Sequence, residues 1–257
     1  MKLVKKDQTN IDVVILMAGE GRRLLPLTKD RPKALLYFKD GMSIFEHIVR
    51  AFTNSSLKVN IIPVVGHGRQ KVQAEVDRLR NLARFQCVTN PFYSTAGPLV
   101  SFWLGLLESR SERVVILNGD TIITQGLVNK VVSWFNKSEQ NKPFVGICTT
   151  AMDDFLEDDM KIRLDKAGRF DMVGKNIQPG ENVLKSAGVL CINNYLTKNA
   201  LREKVSELLM GEKAVGKKYY WHNILNEING TLVIDFIDVN KDSWYEVDTN
   251  GDLNLLF

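Results

Sequence analysis

"LMAGEGRRLLPLTKDRPKALL", residues 16–36, follows the apolar run Val13-Val14-Ile15-Leu16. That run is continuous and β-branched, which suits a strand buried on both faces. What comes next is too polar for core, and Pro26 and Pro32 keep a helix from starting cleanly. Gly19 and Gly21 permit positive φ and let backbone N–H groups approach a ligand closely. Successive N–H groups in such a loop make an anion-binding hollow. Arg22 and Arg23 add donors matched to phosphate oxygens, and Lys33 adds a point charge. A dinucleotide fingerprint would need glycine where Leu24 stands, and the pattern G-x-x-x-x-G-K-[ST] is absent. The stretch reads as a triphosphate cradle at the end of a strand.

Outward from it, apolar runs at 59–66, 84–90, 113–120 and 143–150 alternate with helical patterns at 43–54, 69–83, 98–108 and 127–137. Ser43 is placed to cap the first helix. Such alternation predicts an α/β fold: a Rossmann-like, mostly parallel sheet with helices on both faces. Ligands bind such sheets at the carboxyl ends of strands, where both the glycine loop and Asn118-Gly119-Asp120 fall. Beyond residue 150 the pattern changes. Residues 161–175 read as a hairpin turning at Lys166-Ala167-Gly168, and 183–194 as a strand. Residues 199–210 and 220–228 read as helices, and strands close the chain. The expectation is one domain over 1–257: a part at about 10–150 that carries the glycine loop, and a lobe with antiparallel strands, inserted at about 150–257, that faces the ligand.

The bulk numbers set bounds. Lys+Arg total 34 against Asp+Glu 30, too weak an excess for a nucleic-acid-binding face. The 3 cysteines, Cys87, Cys148 and Cys191, lack metal-ligand spacing and read as buried reduced thiols. The first apolar run is too short for a signal core or a membrane span, so the expectation is a cytoplasmic protein with no membrane partner, monomeric or homodimeric. Asp120 closes an apolar strand, where a carboxylate is costly without a cation or donors nearby. Asp248 follows a second short apolar stretch. Their bland alternatives are a helix cap and a turn.

The run A-G-x-G-x-R-L, then P-x-T, then R-P-K in residues 18–33 resembles the signature of the sugar-phosphate nucleotidyltransferase superfamily. The resemblance implies that the loop wraps a nucleoside triphosphate. Leu16, Met17, Ala18, Gly19, Glu20, Gly21, Arg22 and Lys33 would contact the nucleotide, with Arg23 in support. Asn90, Tyr93, Ala96 and Gly97 fall in a segment similar to the family's base-contacting loop. The resemblance pairs Asp120 with a late aspartate, Asp248, around one Mg²⁺. The ending E-x-D-x-x-x-D-L, and "DMK … GK" over 159–175, are similar to the cytidylyltransferases that activate phosphocholine and related phospho-alcohols. On that likeness Arg22, Lys33, Lys161 and Lys175 would be catalytic. Lys161, Lys175, Tyr195, Trp221 and Glu246 would meet the acceptor, and the aromatics could cage a quaternary ammonium.

The expected reaction is transfer of CMP from CTP to a small phosphorylated acceptor, with release of pyrophosphate. The acceptor could be a phosphocholine-like phospho-alcohol, a phosphonate or a phosphorylated amino-acid amide. The alternatives are a uridylyl-, thymidylyl- or guanylyltransferase for a sugar 1-phosphate, or a non-catalytic regulatory protein on the same fold. A nucleotide-sugar glycosyltransferase would carry D-x-D where N-G-D stands.

Overall fold

The computed structural model describes residues 10–138, 142, 144–152, 154–211, 219–248 and 251–252. Outside these lie the lysine-bearing start of the chain, on which the expectation of a leaderless cytoplasmic protein partly rested, and Thr249, Asn250 and Leu253 of the terminal motif.

The centre is a ten-stranded sheet whose main path runs β11-β7-β10-β5-β1-β2-β3. β1 (Asn10–Leu16), β2 (Lys58–Val65) and β5 (Arg113–Asn118) are parallel neighbours. β7 (Phe144–Ala151) and β11 (Val233–Asp238) are parallel to each other, and β10 (Val183–Ile192) runs antiparallel between β5 and β7. The hairpin β8 (Lys161–Leu164) and β9 (Phe170–Gly174) extends the sheet from the first half of β10. Gly168 turns it at φ 75°, a conformation glycine adopts freely. Residues beyond 150 thus supply strands to the main sheet as well as the antiparallel hairpin.

Period-two alternation explains why the central runs of these strands are apolar on both faces. Val13 and Ile15 of β1 and Val115 and Leu117 of β5 face one core; Val14, Val114 and Ile116 face the other. α1 (Ile44–Thr53), α2 (Arg69–Leu79) and α4 (Gln125–Lys137) cover the first face. α3 (Pro98–Glu108), α5 (Tyr195–Met210) and α6 (Asn223–Ile228) cover the second. Ser43 caps α1 as expected, its hydroxyl accepting from Glu46 N at 3.0 Å.

The strand expected at 84–90 is two pieces, β3 (Arg84–Phe85) and β4 (Val88–Thr89). Both keep one register against β2, and the break falls opposite Ile62 and Pro63. Pro63 has no N–H to give the ladder. α5 begins four residues earlier than its pattern suggested, because Asn194 caps it by accepting from Thr197 N at 2.9 Å. Among the described residues no helix is long and apolar enough to cross a membrane.

Candidate active site

A cavity of about 430 Å³ opens at the carboxyl ends of β1 and β5. The glycine loop forms one wall. Gly21 sits at φ 62°, and its carbonyl accepts from Thr28 Oγ1 at 2.8 Å and from Leu24 N at 2.9 Å. A side chain there would meet Thr28 Cγ2 at 3.0 Å, whereas the space beside Gly19 is open. Gly119 N donates to Leu16 O and His67 N to Ala18 O, which ties the loop's root to its neighbours. Among the described residues no acceptor in the protein takes the N–H groups of Ala18, Gly19, Glu20 or Gly21. The N-terminus of α3 also meets the cavity through Gly97 and Pro98.

The carboxylates converge because β12 (Trp244–Glu246) pairs antiparallel with β6 (Thr121–Ile123), Glu246 opposite Thr121. Val247 N then donates to Asp120 O at 3.1 Å. This short ladder brings Asp248 to Asp120. Lys33 Nζ lies 2.7 Å from Asp120 Oδ2 and 2.5 Å from Asp248 Oδ1. Burial would lower the Lys33 pKa, but the two carboxylates outweigh it and raise the value above normal. Glu246 is pushed up to about 8, first by burial and then by the charges of Asp120 and Asp248.

Two features fit a divalent cation. Asp120 Oδ1 is buried with no hydrogen-bond partner, and Asp120 and Asp248 together already hold one cationic group, Lys33. Among the described residues no three acidic, His or Cys side chains form a cage. Mg²⁺ asks for less: one or two carboxylates, with phosphate oxygens and water completing its octahedron.

Across the mouth, Asp158 pairs with Arg23 at 2.6 Å and with Lys175 at 3.1 Å. The hydrogen bond from Lys175, followed by nearby charges that outweigh burial, holds the Asp158 carboxyl below its usual range.

Most residues expected from sequence line this cavity: Leu16, Met17, Ala18, Gly19, Gly21, Arg22, Arg23, Lys33, Asn90, Tyr93, Ala96, Gly97, Asp120, Lys175, Trp221, Glu246 and Asp248. Asn90 is buried and spends its amide on Ser101 Oγ and Phe92 N, so it shapes the loop that follows it. Three residues lie elsewhere. Glu20 takes Arg22 Nε at 2.5 Å and does not line the cavity. Lys161 is buried, its ammonium donating to the carbonyls of Lys175 at 2.8 Å and of Glu157 and Asp159 at 3.4 Å. It holds the hairpin's base together rather than facing a phosphate. Tyr195 starts α5 at the opposite end of the strands, its hydroxyl donating to Arg110 O at 2.9 Å. Antiparallel β10 carries it there, since Ile192 aligns with Val114 near the start of β5.

The structure adds Asn118, Asp158, Ser186, Tyr220 and His222 to the walls. His222 reads from sequence as a surface or capping residue. It is 4% exposed, because its ring stacks on Trp221 at 3.6 Å. No spacing signal announces it. Asn118 does stand in N-G-D, and it accepts from Trp221 Nε1 at 2.8 Å.

Residues 13–151, more than half of the chain, match the MobA-like NTP transferase domain. The chain belongs to that family of nucleotidyltransferases, as its first motif implies. Among curated proteins, "Bifunctional protein GlmU" of Methanococcus maripaludis is 26% identical over 126 residues, 49% of this chain and 28% of that protein. The protein of the same name from Methanocaldococcus jannaschii is 29% identical over 117 residues, 46% of this chain and 26% of that one. The matches thus span less than a third of these relatives' length.

Solved structures extend the likeness in fold to nearly the whole chain. The inositol-1-phosphate CTP transferase from T. maritima superposes with a TM-score of 0.75 at 18% identity, over 96% of this chain and 92% of that one. The CTP:phosphocholine cytidylyltransferase from Streptococcus pneumoniae gives 0.71 at 17%, over 95% and 96%. A UDP-glucose pyrophosphorylase gives 0.71 at 15%, over 95% of each chain.

Proposed function

We propose that this chain transfers CMP from CTP to a small phosphorylated acceptor. A phosphate oxygen of the acceptor attacks the α-phosphorus in line, a new P–O bond forms, the bond to the β-phosphate oxygen breaks, and pyrophosphate leaves with the electron pair. The nucleophile is already an anion near neutral pH, so no general base is needed. Positioning and charge neutralisation carry the rate.

The loop amides of residues 18–21 and the Arg22 guanidinium hold the outer phosphates. Lys33, beside both aspartates, stands at the inner phosphate. Lys175, released from Asp158, draws in the acceptor's phosphate. Asp120 and Asp248 would hold Mg²⁺, which when bound neutralises triphosphate charge. The observation that carries this reading is the meeting of Lys33, Asp120 and Asp248 at the open end of a glycine loop with free N–H groups.

CTP is preferred because the terminal and hairpin motifs are similar to cytidylyltransferases, and two structures of the same fold carry CTP in their names. A UDP-sugar enzyme shares the fold as well, so the second reading is a sugar-1-phosphate nucleotidyltransferase with another base. The deciding experiment is a pyrophosphate-release screen of four nucleoside triphosphates against phosphorylated acceptors. CTP should give the highest kcat/KM, and Asp120→Asn should lower kcat by about 10²-fold or more with the fold intact. Near-normal release by that variant removes Asp120 from the reaction.

A further inference from the structure

Near Lys175 the cavity contains a buried polar pair that phosphoryl chemistry does not employ. Ser186 and His222 are 2% and 4% exposed, and both line the cavity. Ser186 Oγ lies 2.9 Å from His222 Nε2 and accepts from Gly188 N at 3.1 Å. β10 bulges between Ser186 and Leu190, with Gly188 at φ 67°. Bulges re-aim side chains beside sites. Glycine suits this position: at φ 67° another residue would be strained, and its Cβ would come 2.8 Å from Asn118 Nδ2.

A serine hydroxyl has one hydrogen and two lone pairs, and a neutral imidazole has one donor and one acceptor nitrogen. His222 is neutral: burial first, and the charge of Lys175 second, push its pKa down to about 3. If Ser186 donates to His222, one lone pair remains after Gly188 N is served. If His222 donates instead, the hydroxyl hydrogen remains. Either arrangement leaves one hydrogen bond unspent at the cavity wall. A ligand hydroxyl, which can donate or accept, satisfies both.

Two of the aromatics on the cavity wall, Tyr220 and Trp221, already carry neighbours on their rings. Lys175 Nζ lies 4.6 Å from the Tyr220 ring centre and Lys185 Nζ 5.2 Å from that of Trp244. Trp221 stacks on His222 at 3.6 Å and on Phe102 at 6.0 Å. A quaternary ammonium needs an open aromatic face; here it would meet an ammonium already in place.

We infer that Ser186, backed by His222, reads a hydroxyl of the acceptor, which makes the acceptor a phosphate ester of a polyol or sugar rather than of a quaternary-ammonium alcohol. The inference rests on the transferase reading. Its test uses the full chain with CTP and Mg²⁺. Glycerol 3-phosphate, a pentitol 5-phosphate and a hexose 1-phosphate are compared with n-propyl phosphate and phosphocholine. At least one hydroxylated ester should exceed both others by about tenfold or more in kcat/KM, the size expected when a polar site meets a ligand lacking its hydroxyl. Ser186→Ala should shrink that ratio towards one through the acceptor KM, with the CTP KM unchanged. Phosphocholine or propyl phosphate turned over as well as every polyol ester overturns the inference but leaves the transferase standing. So does a Ser186→Ala enzyme that keeps the full preference. If no nucleotide yields pyrophosphate with any acceptor, the transferase reading falls. The hydroxyl preference is then decided by calorimetric binding of the same phosphates, where equal affinity for glycerol 3-phosphate and propyl phosphate overturns it.

Discussion

Replacing Lys33 by Met keeps the length of the side chain and removes its charge. The Lys33 side chain is 15% exposed, and its ammonium lies 2.7 and 2.5 Å from two carboxylates. At an effective dielectric of about 20, each such pair is worth about 6 kcal/mol gross. Most of that is offset by desolvation of the ions. What the variant exposes is the remainder: Asp120, Asp248 and the elevated Glu246 left facing one another, with Arg23 at 3.9 Å from Asp248 and Lys185 near Glu246 as the cations that remain. Breaking a buried pair on one side costs about 3–5 kcal/mol. Asp248 is 37% exposed and Asp120 26%, so the lower end, about 3 kcal/mol, is expected. For a chain of this size that lowers Tm by about 6–12 °C. The loss should depend on pH in one direction. Lys33 opposes the upward shift of Glu246, so without it Glu246 keeps its proton to higher pH. The deficit is smaller at pH 5, where Glu246 is protonated with or without Lys33, and grows as pH rises through about 8. Mg²⁺ should restore part of it, about 1.4 kcal/mol at ten times its Kd. Thermal unfolding of nucleotide-free protein at pH 8 and pH 5, with and without Mg²⁺, measures all three. A Tm loss under about 2 °C, or one equal at both pH values, refutes the view that Lys33 neutralises this acid cluster.

Other variants separate roles that look alike in sequence. Gly19→Ala has open space and no positive φ to oppose it, so Tm should hold within about 2 °C while the CTP KM rises about tenfold; an unchanged KM removes Gly19 from the nucleotide wall. Lys161→Met strips donors from three carbonyls and should cost about 2–3 kcal/mol in urea unfolding. Lys175→Met should cost little stability and raise the acceptor KM about tenfold; the reverse pattern would exchange their roles. His222 binds its proton in the unfolded chain near pH 6.5 but in the folded chain only near 3. Stability should therefore rise with pH between those values, by up to about 1.4 kcal/mol per unit, and His222→Gln should flatten the rise.

What could be read in advance had a local physical cause. The run Val13–Leu16 was legible because Val13 and Ile15 serve one core and Val14 the other, which leaves no polar position in it. The glycine loop was legible because its chemistry is dense in a short segment. α1 and α3 kept nearly their expected bounds, marked by a capping serine and an early proline. What failed to show depended on strand direction and partners distant in sequence. Lys161 stands in a basic hairpin as a phosphate ligand would, and only the carbonyls gathered around it show its work. Tyr195 was placed with the other aromatics, yet antiparallel β10 carries it to the far end of the strands. His222 lost its solvent to Trp221. Asp158 became a bridge only once the hairpin met Arg23 across the cavity.

The strand order has a consequence for how the molecule is made. Among the described residues β7 is flanked by β10 and β11 alone, and β5 has β10 on its outer side. A ribosome delivers the whole stretch 13–151, β7 included, before either flanking strand exists. The portion that carries the family's hallmark is therefore not one that can close by itself. Until the final third emerges, an apolar ribbon waits with both margins bare, open to pairing with any neighbouring polypeptide.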